Sequence, residues 1–126
     1  MVSRFLLLIL VALVVGCTSK PPSNKDNICK IFTEKRGWYK DSKKASRRWG
    51  TDISVMMSFM YQESSFMARA KPPRKKILWV IPGPRPASAY GFAQATDETW
   101  RAYRRSTGRG GADRNDFGDA IDFIGW

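Results

Sequence analysis

The sequence predicts a small, mainly α domain with one short β excursion. Three observations point there. Apolar residues recur at helical spacing in several separate stretches along the chain. Gly50, Asp52, Thr96, Gly108 and Asp116 punctuate those stretches with the residue types that start and stop helices. One run of β-formers, ILWVI at residues 77–81, stands alone between prolines. At 126 residues the chain has room for one such domain.

The first stretch lies outside that domain. Arg4 is followed by an unbroken apolar run at residues 5–15 (FLLLILVALVV). A membrane-spanning helix needs roughly 20 apolar residues. The run is too short for that and reads as the core of a signal peptide over residues 1–16. Its end, Val14-Val15-Gly16-Cys17, resembles the bacterial lipobox. That resemblance implies cleavage before Cys17, a diacylglyceryl group on its thiol and export. Thr18, rather than Asp, after the cysteine implies sorting to the outer membrane, facing the periplasm. Residues 17–27, polar and carrying two prolines, then read as a lipidated tether.

Ile28, Ile31 and Phe32 begin a first helix that Gly37 is expected to interrupt. Residues 38–49 form a second, with Lys40, Lys43, Lys44, Arg47 and Arg48 as a solvated face or a contact for an anionic wall or lipid. Gly50 ends it, and Asp52 can cap a third helix at residues 53–64. This third helix is apolar around most of its circumference, with a narrow polar stripe of Ser54, Ser58 and Gln62, so it reads as the core helix. Residues 67–90 hold Pro72, Pro73, Pro82, Pro84 and Pro86, a basic cluster at Arg74, Lys75 and Lys76, and the ILWVI run, read as one short strand within a long loop. Thr96 caps a fourth helix with Asp97 and Glu98 in its first turn, where acids suit the dipole. Asn115 or Asp116 starts a fifth, with Phe117, Ala120, Ile121 and Ile124 on one face.

Composition excludes much chemistry. The chain has no histidine, which removes serine–histidine and cysteine–histidine nucleophile systems and histidine-ligated zinc. No Ser-x-x-Lys spacing occurs. Asp113, Asn115 and Gly118 follow an EF-hand count, but Phe117 and Ile124 occupy two of its ligand positions, so no metal site is expected. Without residues 1–16, which hold one arginine, 21 basic and 11 acidic residues remain, a net charge of +10. Such a charge favours an anionic partner. Export points to a cell-wall polymer or membrane surface rather than nucleic acid. With Cys17 lipidated, Cys29 has no intramolecular partner and reads as a small buried residue near Ile28 and Phe32, or as one half of an intermolecular disulfide.

One carboxylate has an unusual setting. Glu63 ends the third helix at i+7 from Met56 and i+3 from Met60, a spacing that places it on their face. Burial and the negative helix end would both hold a carboxyl there in its protonated form. A proton donor near neutral pH is what glycosidic cleavage needs. The alternative is a core-edge glutamate paired with an arginine.

Glu63-Ser64-Ser65-Phe66, then Tyr90-Gly91-Phe92-Ala93-Gln94, then Thr99-Trp100 resemble, in that order, the soluble-lytic-transglycosylase (SLT) domain of the lysozyme-like superfamily. The resemblance covers residues 28–126 and implies a lysozyme-like helical catalytic domain. It implies that Glu63 is the single catalytic acid and base. Ser64 would bond near the substrate or steady the glutamate. Gly91 would admit backbone close to the sugar, and Gln94 would line the glycan groove, flanked by Tyr90 and Phe92. It further implies a peptidoglycan substrate, no metal and no cofactor. The product would be a 1,6-anhydro end rather than a hydrolysed one, unlike the two-carboxylate scheme of most glycosidases. The family's tyrosine–asparagine pair and later tyrosine have no match after Gln94, so the domain is expected to be C-terminally incomplete. Two other functions fit the same residues. A lysozyme-type hydrolase would need a second carboxylate, for which Asp97 or Glu98 is available. A non-catalytic wall-binding or assembly lipoprotein would need only the charge and the anchor.

Overall fold

The computed structural model describes residues 19–85 and 87–126. The expected signal peptide and the lipidated Cys17 lie outside the described residues. Five helices are found among the described residues: α1 (Ile28–Glu34), α2 (Arg36–Trp49), α3 (Ile53–Ser64), α4 (Asp97–Thr107) and α5 (Phe117–Gly125). A two-stranded antiparallel hairpin, β1 (Lys76–Ile77) and β2 (Ile81–Pro82), is the sheet they accompany. The domain is mainly α and lysozyme-like, as the sequence predicts.

Local chemistry accounts for most helix ends. Asn27 Oδ1 accepts from the Lys30 amide at 3.0 Å and starts α1. Thr96 Oγ1 accepts from the Thr99 amide at 3.3 Å and starts α4. Asp116, one of the two residues expected to do so, caps α5 by accepting from the Asp119 amide at 2.9 Å. Asp52 holds the N-cap position of α3 but makes no side-chain cap bond. Gly50 and Gly108 close α2 and α4 in the left-handed conformation. The break between α1 and α2 falls at Lys35 rather than Gly37. Gly37 sits in the first turn of α2, where a residue of poor helix propensity is tolerated because no ladder is yet complete.

The core is built from α1, α2, α3, α5 and two turns. Ile31, Trp38, Ala45, Met56, Met57, Met60, Phe66, Phe92, Ala120 and Ile121 are buried together. Trp38 stacks on Phe117 at 3.9 Å between centroids, joining α2 to α5. A second cluster places Trp100 and Tyr103 of α4 against Phe123 of α5. The core helix α3 differs from its expected role in one respect. Only Met56, Met57, Met60 and Ser64 are buried, whereas Val55, Phe59 and Tyr61 are exposed. One stripe of methionines is enough to fill the space between α2 and α5, so the other apolar side chains remain outside.

Three further expectations are corrected. Residues 19–27 do not hang free as a tether. Pro22 is buried, Ser23 Oγ donates to Glu34 at 2.7 Å, and Asp26 accepts from the Tyr61 hydroxyl at 3.0 Å. Cys29 is exposed, because it lies on α1 away from the buried Ile31. The ILWVI run is not one strand but the two sides and tip of the hairpin. A lone strand leaves its amides unpaired, and folding back on itself pairs Ile77 with Ile81 and Lys76 with Pro82.

After α3 the chain turns sharply. Ser65 (φ 50°) and Phe66 (φ 61°) are both left-handed. Such a conformation costs a non-glycine residue about 1–2 kcal/mol. The Phe66 ring, 2% exposed and stacked on Tyr61 at 5.7 Å, offsets that cost by burial. Ser65 is half-buried and has no such return. Ser65→Gly is therefore expected to raise stability by roughly 0.5–1 kcal/mol, with the lost helix-end strain outweighing glycine's extra freedom in the unfolded chain. A lower melting temperature for this variant would contradict the account of the turn.

Candidate active site

The expected site residues lie on two segments that one carbonyl joins. Glu63 and Ser64 end α3, and the left-handed pair that follows turns the chain toward Ala70. The Ala70 oxygen accepts from the Gly91 amide at 3.0 Å and from Gln94 Nε2 at 2.9 Å. Gln94 Nε2 also donates to the Gly91 oxygen at 2.9 Å, and Tyr90 bridges to Ala95 across the turn. The 90–95 turn is thereby held against the segment leaving α3.

Each residue takes a defined place in this arrangement. Glu63 is exposed, and no hydrogen bond or ion pair to it is found among the described residues. The expected burial on the Met56–Met60 face is therefore absent. The methionines point inward, while Glu63, at the last turn, projects past the edge of the core. The buried residue at the helix end is Ser64, at i+4 from Met60, and its hydroxyl donates to the Met60 carbonyl at 3.2 Å rather than to the glutamate. Tyr90 is half-buried, with Lys71 Nζ 5.7 Å and the Arg114 guanidinium 5.3 Å from its ring centroid. Gly91 has φ +83° and is buried, and a Cβ there would collide with the Arg114 carbonyl oxygen. The close backbone approach expected toward a sugar is made instead toward the protein's own chain. Phe92, expected to flank the groove, is a core residue at 1% exposure, edge-on to Trp38 and Phe117. Alternate residues of a tight turn face opposite ways, and here the aromatic ring takes the inner side.

Arg114 is the residue that sequence reasoning missed. It donates to the carbonyls of Ser88 (3.1 Å) and Ala95 (2.9 Å) and pairs with Asp97 at 2.9 Å. One guanidinium thus fastens the end of the proline-rich loop, the 90–95 turn and the start of α4. A single arginine in a polar loop carries no spacing signal that would mark it. Asp97, one of the two carboxylates considered for a hydrolase, is committed to this pair.

A largely buried ionic cluster lies where α2, α4 and α5 meet. Asp122 of α5, 3% exposed, accepts from the Tyr103 hydroxyl at 2.7 Å and pairs with Arg109 at 2.9 Å and Arg48 at 3.3 Å. Arg109 also pairs with Asp119 at 2.6 Å. Burial, and then the bond to Asp122, push the Tyr103 hydroxyl well above the usual phenol range. Asp41 nearby is held above the usual carboxylate range, chiefly by burial and then by the charge of Asp116. These groups tie α2, α4 and α5 together and do not face the 90–95 turn as a ligand set.

Two hollows of the surface are lined by other residues. One of about 350 Å³ runs between Ile28 and the Ser54, Ser58 and Tyr61 side of α3. Another is lined by Ser19, Pro21 and residues 67–70. Glu63 lines neither of these two, and it is exposed.

Compared with models of known protein families, residues 5–126 match the one described as the transglycosylase SLT domain. Neither the curated proteins nor the solved structures searched gave a match. The matched span takes in Glu63, the 90–95 turn and every helix described above. The chain therefore belongs to the transglycosylase SLT domain family, a lytic-transglycosylase type of domain that acts on peptidoglycan.

Proposed function

We propose that this protein is an exported lytic transglycosylase that cleaves the bond between N-acetylmuramic acid and N-acetylglucosamine, with Glu63 as its single acid and base. The observation that carries the reading is a solvent-facing carboxylate at the end of α3, without a hydrogen-bond or ion-pair partner among the described residues and inside the span that matches the SLT family, where the Glu-Ser resemblance implies the catalytic acid. In the reaction, the Glu63 carboxyl gives its proton to the bridging oxygen as the bond to the muramyl C1 breaks. The resulting carboxylate takes the proton of the muramyl 6-hydroxyl, and O6 closes on C1. The product is a 1,6-anhydro sugar, the proton returns to Glu63, and no water is consumed. Tyr90 offers the glycan a half-buried ring. Gly91 and Gln94 act by fixing the wall through Ala70. Ser64 supports the helix end from beneath.

The anchor belongs to the same proposal. Lipid on Cys17 would hold the enzyme to the outer membrane, facing the wall. The surplus of cations would bring it to anionic sacculi, and Lys40, Lys43, Lys44, Arg47 and Arg48 are all exposed along α2 for that contact. A non-catalytic wall-binding protein is the second reading, favoured by the exposure of Glu63.

Incubation of the full chain with purified sacculi separates the two. The expected result is release of soluble muropeptides, with binding that weakens as salt rises, since exposed charges are screened over about 8 Å at physiological ionic strength. Firm binding without release would favour the non-catalytic reading. Binding indifferent to salt would remove the charges from the contact.

A further inference from the structure

The hairpin between Ala70 and Tyr90 displays what a folded domain normally hides. Ile77 and Ile81 are about half exposed, and the tip residues Leu78, Trp79 and Val80 are 76%, 90% and 80% exposed. Five consecutive apolar side chains therefore face solvent and contribute nothing to either core cluster. The display is built rather than loose. Leu78 (φ 51°) and Trp79 (φ 67°) both adopt the left-handed conformation that bulky residues avoid, which throws their side chains outward at the turn. The base is fixed by the Gly83 amide, which donates to the Lys75 carbonyl at 2.8 Å, and a Cβ at Gly83 would stand only 2.7 Å from that oxygen. Large exposed apolar patches on small domains mark contact surfaces.

The surroundings of the tip select the partner. Arg74, Lys75, Lys76 and Arg85 are exposed at its base, and no carboxylate occurs between Glu63 and Asp97. A tryptophan flanked by aliphatic residues, above a collar of cations, matches the layering of an anionic bilayer, with apolar boundary inside and headgroups outside. The path of the chain agrees. Ser19 lines the same hollow as Met67, Ala68, Arg69 and Ala70, the segment that leads into the hairpin. Ser19, the first described residue, thus lies beside the segment that leads into the hairpin.

We propose that Leu78, Trp79 and Val80 insert into the interface of an anionic lipid bilayer, with Arg74, Lys75, Lys76 and Arg85 against its headgroups. This is a second membrane contact, distinct from any lipid on Cys17, and it does not rest on glycan cleavage. It would fix the orientation of the domain at the membrane, where a single anchored end leaves it free to rotate.

The test reads the position of Trp79 rather than attachment, because an N-terminal anchor attaches the chain by itself. The full chain and W79F are mixed with vesicles of phosphatidylglycerol carrying brominated acyl chains, and with brominated phosphatidylcholine. In phosphatidylglycerol the wild type should lose tryptophan emission that W79F keeps. The loss should be smaller in phosphatidylcholine, and smaller again in phosphatidylglycerol for the K75E/K76E double variant. Equal quenching of wild type and W79F would leave Trp79 in water and overturn insertion, turning the tip over to a protein partner. Trp79 quenching of the same depth in both lipids would overturn the anionic selectivity.

Discussion

Glu63→Gln should reduce muropeptide release by roughly 10²–10⁴-fold, the range a positioned general acid contributes. Glutamine keeps the shape of the side chain but can neither deliver the proton to the leaving oxygen nor recover it from the 6-hydroxyl. The fold should be indifferent to the change. Glu63 is exposed and has no hydrogen-bond or ion-pair partner among the described residues, so the stability difference should stay within about 0.5 kcal/mol. Sacculus binding should persist for the same reason, since the cations that favour it are untouched. Paired measurements of release and of thermal unfolding check both halves. A glutamine variant with normal release would remove Glu63 from the chemistry, and one that is inactive because it unfolds would contradict its placement at the surface.

Asp122→Ala carries the largest expected loss of stability. The carboxylate is 3% exposed and answers three donors on three elements: Tyr103 on α4, Arg109 on the loop after it, and Arg48 on α2. Its removal leaves a buried hydroxyl and a partly buried guanidinium without their acceptor. Breaking a buried pair in this way costs about 3–5 kcal/mol, and the lower end applies here because both arginines reach solvent. For a domain of this size about 3 kcal/mol corresponds to a fall of roughly 12–24 °C in melting temperature. The same cluster sets an alkaline limit. Tyr103 holds its proton more tightly in the folded chain than the unfolded value of 10.0, so the unfolded chain ionises first and stability falls as pH rises above that value. Tyr103→Phe should abolish this part of the alkaline loss, at a cost near neutral pH of about 1 kcal/mol for the missing hydrogen bond. A melting temperature for Asp122→Ala within a degree or two of the wild type would show that the arginines find other partners and that the cluster does not join the helices.

The sequence made the helices legible because their signals are local. Thr96, Asp116, Gly50 and Gly108 are the residues that cap and stop them, and a cap acts within one turn. The hairpin was less legible. An alternating or continuous apolar run states that a segment is extended, not whether it finds a partner strand, so ILWVI could equally be one strand or two sides of a turn. Burial was harder still. Glu63 shares helical spacing with Met56 and Met60, but spacing fixes direction and not where the core stops, and at the last turn of α3 the core has ended. Gly91 was legible as a required glycine, though the atom that requires it, the Arg114 carbonyl, is more than twenty positions away in sequence and left no trace in it. The site emerges from tertiary bonds to Ala70 and Arg114, residues whose own neighbourhoods carry no motif.

The central claim is the chemistry of the cut, and the mass of the ends it leaves tests that claim most directly. Sacculi digested by the full chain and analysed by mass spectrometry should yield muramyl ends in the 1,6-anhydro form, one water lighter than reducing ends, and the Glu63→Gln variant should yield neither. Reducing ends from the wild type would contradict the account: water, not the 6-hydroxyl, would then be the nucleophile, and a second group besides Glu63 would have to activate it.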